Sequence, residues 1–224
     1  MSEPRLAPAG RVAVWVAVGA EPEGGPLSLE HRARRYRLAR AGAHLVGRQL
    51  VAAYTSCPPD RQSWRRDDRG RPLVADPAGL HVSLSHAQNV VAAALSRSAP
   101  VGVDVERLRP LADRAALART ALAEAEQRAV DELPEQLRDA QLLRFWTRKE
   151  SVAKALGSGL ATDLRAIVTT ARGSVVSLPD ECGEISGWSL ADVPVPGGVI
   201  AAVAVRAPHV RVLARALDLP ADEG

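Results

Sequence analysis

The chain has 224 residues, 46% of them hydrophobic, which is enough for one large domain or two small ones with a real core. Its 29 basic residues barely exceed its 26 acidic ones, and a net charge of +3 argues against a nucleic-acid binder built on a dense cationic stripe while leaving room for a local basic pocket. Cys57 and Cys182 have neither metal-ligand spacing nor a disulfide-rich context, so ordinary thiols of a reducing compartment are expected and zinc is not.

Positions 1–10 lack a charged region followed by an apolar stretch, and no apolar run approaches the about 18 residues of a membrane span, so a cytoplasmic protein without a membrane partner is expected. The first apolar run, 12–18 with Trp15 inside it, reads as a buried strand. A Pro and Gly cluster at 21–26 turns the chain. From 28 to 54 the residues Leu29, Ala33, Tyr36, Leu45, Val46 and Leu50 recur at helical spacing among arginines, as one helix or two meeting near Gly42. Polar turn-forming segments follow at 65–72 and 76–79, then 82–85 and a strand at 90–96. Residues 98–100 separate two halves. The second half opens with a strand at 101–105, continues through helices from about 111 to 156, and ends in strands around Ile167, Ile185 and 199–206.

The runs at 90–95, VVAAAL, and 199–204, VIAAVA, each come late in their half after turn-forming residues. They suggest a duplicated α+β unit, and a cleft between two such halves is a natural ligand site.

Two segments carry chemistry. In 101–106, VGVDVE, strict alternation places Asp104 and Glu106 on one strand face and three valines on the other. Two adjacent carboxylates repel unless they face water, as on a solvated antiparallel strand, or meet a cation, of which Mg²⁺ is the usual one beside phosphate. The segment 145–160, FWTRKESVAKALGSGL, reads as a helix with Trp146, Glu150 and Ala153 on one side, Glu150 one turn before Lys154, and Gly157 and Gly159 as its stop. A surface ion pair, a core aromatic pair and a routine glycine stop would explain each piece separately. They do not explain why the sole Phe, one of four Trp and the chain's only two lysines, Lys149 and Lys154, gather there. A chain that otherwise writes arginine and twice writes lysine suggests chemistry that needs an ammonium able to give up a proton, with drift as the plain alternative.

The pair GVDVE at 102–106 and WTRKESVAK at 146–154 resembles the two signature motifs of the phosphopantetheinyl transferases, and the chain length suggests their surfactin-synthetase-associated, pseudodimeric class. The resemblance extends more loosely through Gly70-Arg71-Pro72, Ser85-His86 and Ala125-Glu126. It implies an α+β fold of two similar subdomains, 1–100 and 101–224, related by a pseudo-twofold axis, with a coenzyme A cleft between them and the metal site in the second.

The implied reaction transfers the 4'-phosphopantetheine group of coenzyme A to a serine of an acyl or peptidyl carrier protein and releases adenosine 3',5'-bisphosphate. By the same resemblance Asp104, Glu106 and Glu150 ligate Mg²⁺, Glu150 takes the proton of the carrier serine, and Lys154 stabilises and protonates the leaving phosphate. Ser85, His86, Gly70, Arg71, Pro72, Arg40, Arg48 and Lys149 are the implied coenzyme A contacts, with Arg34 and Arg37 as further candidates on the long helix. Two departures stand out. Arg71 replaces the family's usual lysine, and Ala43 or His44 stands where a basic contact is often found. Glu126 sits where the family often has a glutamate proposed to assist the metal or a proton transfer. The resemblance further implies a carrier-protein partner from a fatty-acid, polyketide or peptide-synthesising system, secondary metabolism included, and a monomer is expected, with no nucleic-acid partner. Two alternatives stay open from the residues alone: a metal-dependent hydrolase of nucleotide pyrophosphates, and a coenzyme A-binding scaffold without transfer activity.

Overall fold

The computed structural model describes residues 10–19, 29–157 and 162–218, so the turn expected at 21–26 and Gly159 lie outside the described residues. The chain is mixed α+β. Strand β1 (Arg11–Val18) leads to helix α1 (Leu29–Thr55), the short strands β2 (Ser63–Arg66) and β3 (Pro72–Asp76), then β4 (His81–Ala87) and β5 (Val90–Ser96). Strand β6 (Val101–Arg107) is followed by α2 (Arg114–Ala121), α3 (Glu124–Asp131) and α4 (Glu135–Leu156). Then come β7 (Val168–Thr169), β8 (Val175–Ser177), β9 (Ser189–Asp192), β10 (Val199–Val205) and β11 (Arg211–Asp218).

Two sheets organise these elements. One has the order β11-β1-β5-β4 and the other β6-β10-β9, while β2–β3 and β7–β8 form separate hairpins. In the first sheet β5 pairs with β1 and β4, and in the second β10 pairs with β6 and β9, all antiparallel. The two echoed runs are each an inner strand of their sheet. Both β5 and β10 are buried along their whole length, which is why each reads as a continuous apolar run without alternation.

Valines of β1 and β6 and the apolar residues of β5 and β10 fill one core shared by the two sheets. On the opposite face of the first sheet lies α1, through Ala43, Val46, Leu50 and Val51. Helix α4 covers the second sheet through Val152 and Ala155, and packs its other side against α2 and α3 through Leu142 and Phe145.

The long helix runs unbroken through Gly42; the about 1 kcal/mol that a mid-helix glycine costs is overcome by packing on the sheet. Three sequence expectations need correction. Ile185 lies in a 3-10 turn, Ile185–Gly187, and the strand begins after it at Ser189. The stretch expected only as a turn, 65–72, carries the inner ends of the β2–β3 hairpin. The last strand, β11, lies parallel to β1 on the edge of the first sheet. These are short or arginine-bearing edge strands, whose ladder is set by a neighbour rather than by their own apolar content.

Candidate functional site

On β6 the alternation is as read from the sequence: Val101, Val103 and Val105 enter the shared core, and Gly102, Asp104 and Glu106 turn toward α4. Gly102 sets the distance. A Cβ there would stand 1.9 Å from the Ser151 carbonyl oxygen and 2.5 Å from the Ala155 nitrogen, so only glycine lets the helix backbone touch the strand. This close approach brings Glu150 and Lys154 beside the strand carboxylates.

Lys154 Nζ donates to Asp104 Oδ1 at 2.7 Å and to Ser85 Oγ at 2.8 Å, and Ser85 Oγ donates to the same Asp104 oxygen at 2.8 Å. Ser85 belongs to β4, so this network crosses from the first sheet to the second. Ser83 makes a second crossing, accepting from the Val103 N–H at 3.0 Å. Asp104 Oδ2 is buried with no partner. Burial first, and the Asp104 charge second, push Glu106 up to about 7, against a weak pull from Arg109 Nη2 3.6 Å away. Glu150 is raised by burial and then by Asp104.

These carboxylates repel one another at a place that also leaves one buried oxygen unsatisfied, a combination that suits a hard cation. Among the described residues no three His, Cys, Asp or Glu side chains are already gathered as a cage. The all-oxygen donor set and the orphaned Oδ2 fit Mg²⁺, with Lys154 partly filling its role at Asp104.

A pH effect follows. An acid raised in the fold makes its stabilising contribution below its unfolded value and loses it as pH rises; for Glu106 that window runs from 4.5 to about 7. Without divalent cation, Glu106→Gln is expected to gain stability relative to the parent across this window and to hold a constant advantage above it, as measured by urea denaturation at pH 5 to 8. A difference that does not vary with pH contradicts the assignment.

Next to Lys154 opens a cleft of about 400 Å³. Arg40, Arg66, Arg69, Arg71 and Lys154 line it with His44 and His86, and among the described residues no carboxylate does. Gly70 and Pro72 line it too. His86 meets Tyr36 edge to face, with ring centroids 4.8 Å apart, and burial followed by the Lys154 charge lowers its pKa. His44, lowered by burial and then by Arg66, receives Arg66 Nη2 at 2.7 Å on Nε2, so a neutral ring accepts there.

Two expected contacts are engaged elsewhere. Arg48 donates to the carbonyls of Pro59 and Gln62 and lies over Trp64, pinning α1 to the following turn. Lys149, fully buried, pairs with Glu126 at 2.5 Å and donates to the Leu164 carbonyl at 3.0 Å. The remaining Glu126 capacity is taken by the N–H groups of Ala123 and Thr169 and the Thr169 hydroxyl. This pair braces α3 against α4 and offers no free atom to a ligand. Removing one partner strands a buried charge: Glu126→Gln or Lys149→Met alone is expected to cost about 3–5 kcal/mol, and the double variant to recover most of it, in urea denaturation. Arg34 and Arg37 are exposed on α1 and do not line the cleft. Tyr36, Arg66 and Arg69 line it and escaped the sequence reading. The adjacent pair Arg65-Arg66, followed by turn residues, was the signal available for the last two.

A second cleft, of about 440 Å³ between β8, β9 and β11, has a largely apolar lining and lies away from the carboxylates.

Comparison with known proteins bears on the carboxylate strand and helix directly. The model of the 4'-phosphopantetheinyl transferase superfamily matches residues 100–203, the segment from β6 to β10 that holds Asp104, Glu106, Glu150 and Lys154. The 4'-phosphopantetheinyl transferase psf-1 of Bacillus pumilus is 30% identical over 166 residues, 69% of each chain. The chain belongs to this superfamily. HetI of Nostoc, another 4'-phosphopantetheinyl transferase, is 29% identical over 181 residues, 79% of this chain and 72% of its own. The transferase gsp of Aneurinibacillus migulanus is 28% identical over 120 residues, 52% of this chain and 48% of its own. The family model thus covers the segment that holds Asp104, Glu106, Glu150 and Lys154, and the similarity to HetI extends over most of the chain. No helix among the described residues is long and apolar enough to cross a membrane.

Proposed function

We propose that this chain transfers the 4'-phosphopantetheine group of coenzyme A to a serine of an acyl or peptidyl carrier protein. The observation that carries the reading is the meeting of two opposite surfaces. A cleft lined by five cationic side chains and, among the described residues, no carboxylate includes Lys154, and Lys154 is bonded to Asp104, whose charge acts on Glu106 and Glu150. A polyanion seated in the cleft would bring a phosphorus beside Lys154 and the carboxylates next to it.

The arginines bind and orient the phosphates and the nucleotide end of coenzyme A, with Gly70, Pro72 and His86 shaping the wall. Asp104, Glu106 and Glu150 would hold Mg²⁺, which when bound withdraws charge from the pyrophosphate. Glu150, one turn before Lys154 on α4, accepts the proton of the carrier serine. The serine oxygen forms a bond to the phosphorus that bears pantetheine, and the bond from that phosphorus to the bridging oxygen breaks. Adenosine 3',5'-bisphosphate leaves. Lys154, held by Asp104 and Ser85, faces the departing phosphate and supplies a proton to it. Lys154→Arg keeps the charge and loses the transferable proton, so transfer is expected to slow by about 100-fold at saturating coenzyme A.

The reading includes a pseudo-twofold relation between 1–100 and 101–224, supported by the equal strand order of β1-β5-β4 and β6-β10-β9. It also includes a monomer working in the cytoplasm, and gel filtration tests the monomer. The test of function is the intact mass of several apo carrier proteins after incubation with this protein, coenzyme A and Mg²⁺, with an EDTA control. A metal-dependent gain of about 340 Da, one phosphopantetheine joined through a phosphodiester, is expected. Release of adenosine bisphosphate without a mass gain would make the chain a hydrolase; coenzyme A binding with neither product would make it a scaffold.

A further inference from the structure

The turn between β2 and β3 is built on one carboxylate. Asp67 Oδ1 accepts the backbone N–H groups of Arg69 at 3.1 Å and Arg71 at 2.8 Å, and Oδ2 accepts from Arg71 Nε at 3.1 Å. The Asp67 backbone closes the same turn: its N–H donates to the Arg71 carbonyl at 3.0 Å, and its carbonyl accepts from Gly70 at 2.9 Å. Gly70, at φ +81°, takes the left-handed position that this closure requires. The N–H of Arg71 above all holds the Asp67 carboxyl below the usual range, so it stays charged at any working pH.

The turn aims two guanidinium groups. Arg69 Nη1 donates to the Gly157 carbonyl at 3.2 Å. The Arg71 guanidinium lies over the same residue, where a Cβ would come within 2.7 Å of Nη1. Gly157, at φ +72°, caps the C-terminus of α4, the negative end of the helix that carries Glu150 and Lys154. Arg69, Arg71 and Gly157 all line the cationic cleft. Among the described residues, Arg69 and Arg71 thus reach from the hairpin to the end of α4.

We propose that Asp67 is a positioning residue for the anionic co-substrate: it organises the 67–71 turn so that Arg69 and Arg71 are held at the end of α4, ready to bind phosphate oxygens. The inference rests on the coenzyme A reading and adds a residue that need not touch the ligand. An arginine already held in place loses less rotamer freedom when it binds, which is how a preformed turn becomes affinity.

Asparagine separates this role from a general loss of structure. Its side-chain oxygen still accepts both backbone N–H groups, but its amide nitrogen cannot accept from Arg71 Nε. Coenzyme A binding is measured by isothermal titration calorimetry, without carrier protein, for the parent, Asp67→Ala and Asp67→Asn. Asp67→Ala is expected to weaken Kd about tenfold or more and Asp67→Asn about threefold. In steady state, KM for coenzyme A rises in parallel, while kcat at saturating coenzyme A and KM for the carrier protein stay within about twofold. Parent-like affinity in Asp67→Ala overturns the inference, as does a fall in kcat and thermal midpoint together with a raised KM for the carrier. A parent protein that does not bind coenzyme A overturns the functional reading itself, and this inference with it.

Discussion

Asp104→Ala is expected to lower transfer to a carrier protein by at least about a thousandfold while leaving the protein folded. Asp104 is the hub of the site. One of its oxygens accepts from Lys154 and Ser85, and the other is buried without a partner. Its charge also raises both neighbouring glutamates. Removal therefore takes away a proposed cation ligand, releases Lys154 from its anchor and relaxes the repulsion on Glu106 and Glu150. The fold survives because the Lys154 side chain is 28% exposed and its ammonium can turn to water. Asp104→Asn keeps the size and loses the charge, so it should be nearly as inactive as alanine. Rates from intact mass, with circular dichroism as the control for folding, decide the matter; alanine activity within about tenfold of the parent would remove Asp104 from the centre of the mechanism.

The second large effect is expected at a residue with no side chain. Gly102→Ala places a methyl carbon 1.9 Å from the Ser151 carbonyl oxygen and 2.5 Å from the Ala155 nitrogen, and neither backbone atom can swing away like a flexible side chain. Helix α4 must lift from β6. Overpacking of this kind costs about 3 kcal/mol or more, and on a chain of this size lowers the thermal midpoint by about 6–12 °C. The functional loss should exceed the loss of folded protein. A lifted α4 draws Glu150 and Lys154 away from Asp104, so transfer falls more than about tenfold even where calorimetry finds the variant folded, since small misplacements of this sort are costly. An unchanged midpoint would mean that the helix accommodates the methyl group, and the proposed role of Gly102 would be wrong.

The sequence by itself determined much of the site because the relevant signals are local. Alternation along β6 decides that Asp104 and Glu106 share a face, and a spacing of four decides the same for Glu150 and Lys154 on α4. Clustering of both lysines in one helix marks where the composition is overridden. The echo between β5 and β10 was legible because central strands are apolar on both faces wherever they occur.

Only the tertiary structure decided how these pieces are used. Lys149 and Lys154 look alike as neighbours in sequence, but five residues is about 140° around a helix, so they leave opposite sides of α4. One meets Glu126 in a closed interior and the other meets Asp104 at a cleft, a difference set by which elements pack on each side. The same holds for the arginines: Arg48 is consumed by carbonyls of a neighbouring turn, whereas Arg66 and Arg69 reach the cleft from the polar turn end, 65–72, of a hairpin. Which charges a chain spends on its own backbone and which it keeps for a ligand depends on partners distant in sequence, and periodicity along a strand or helix carries no information about them.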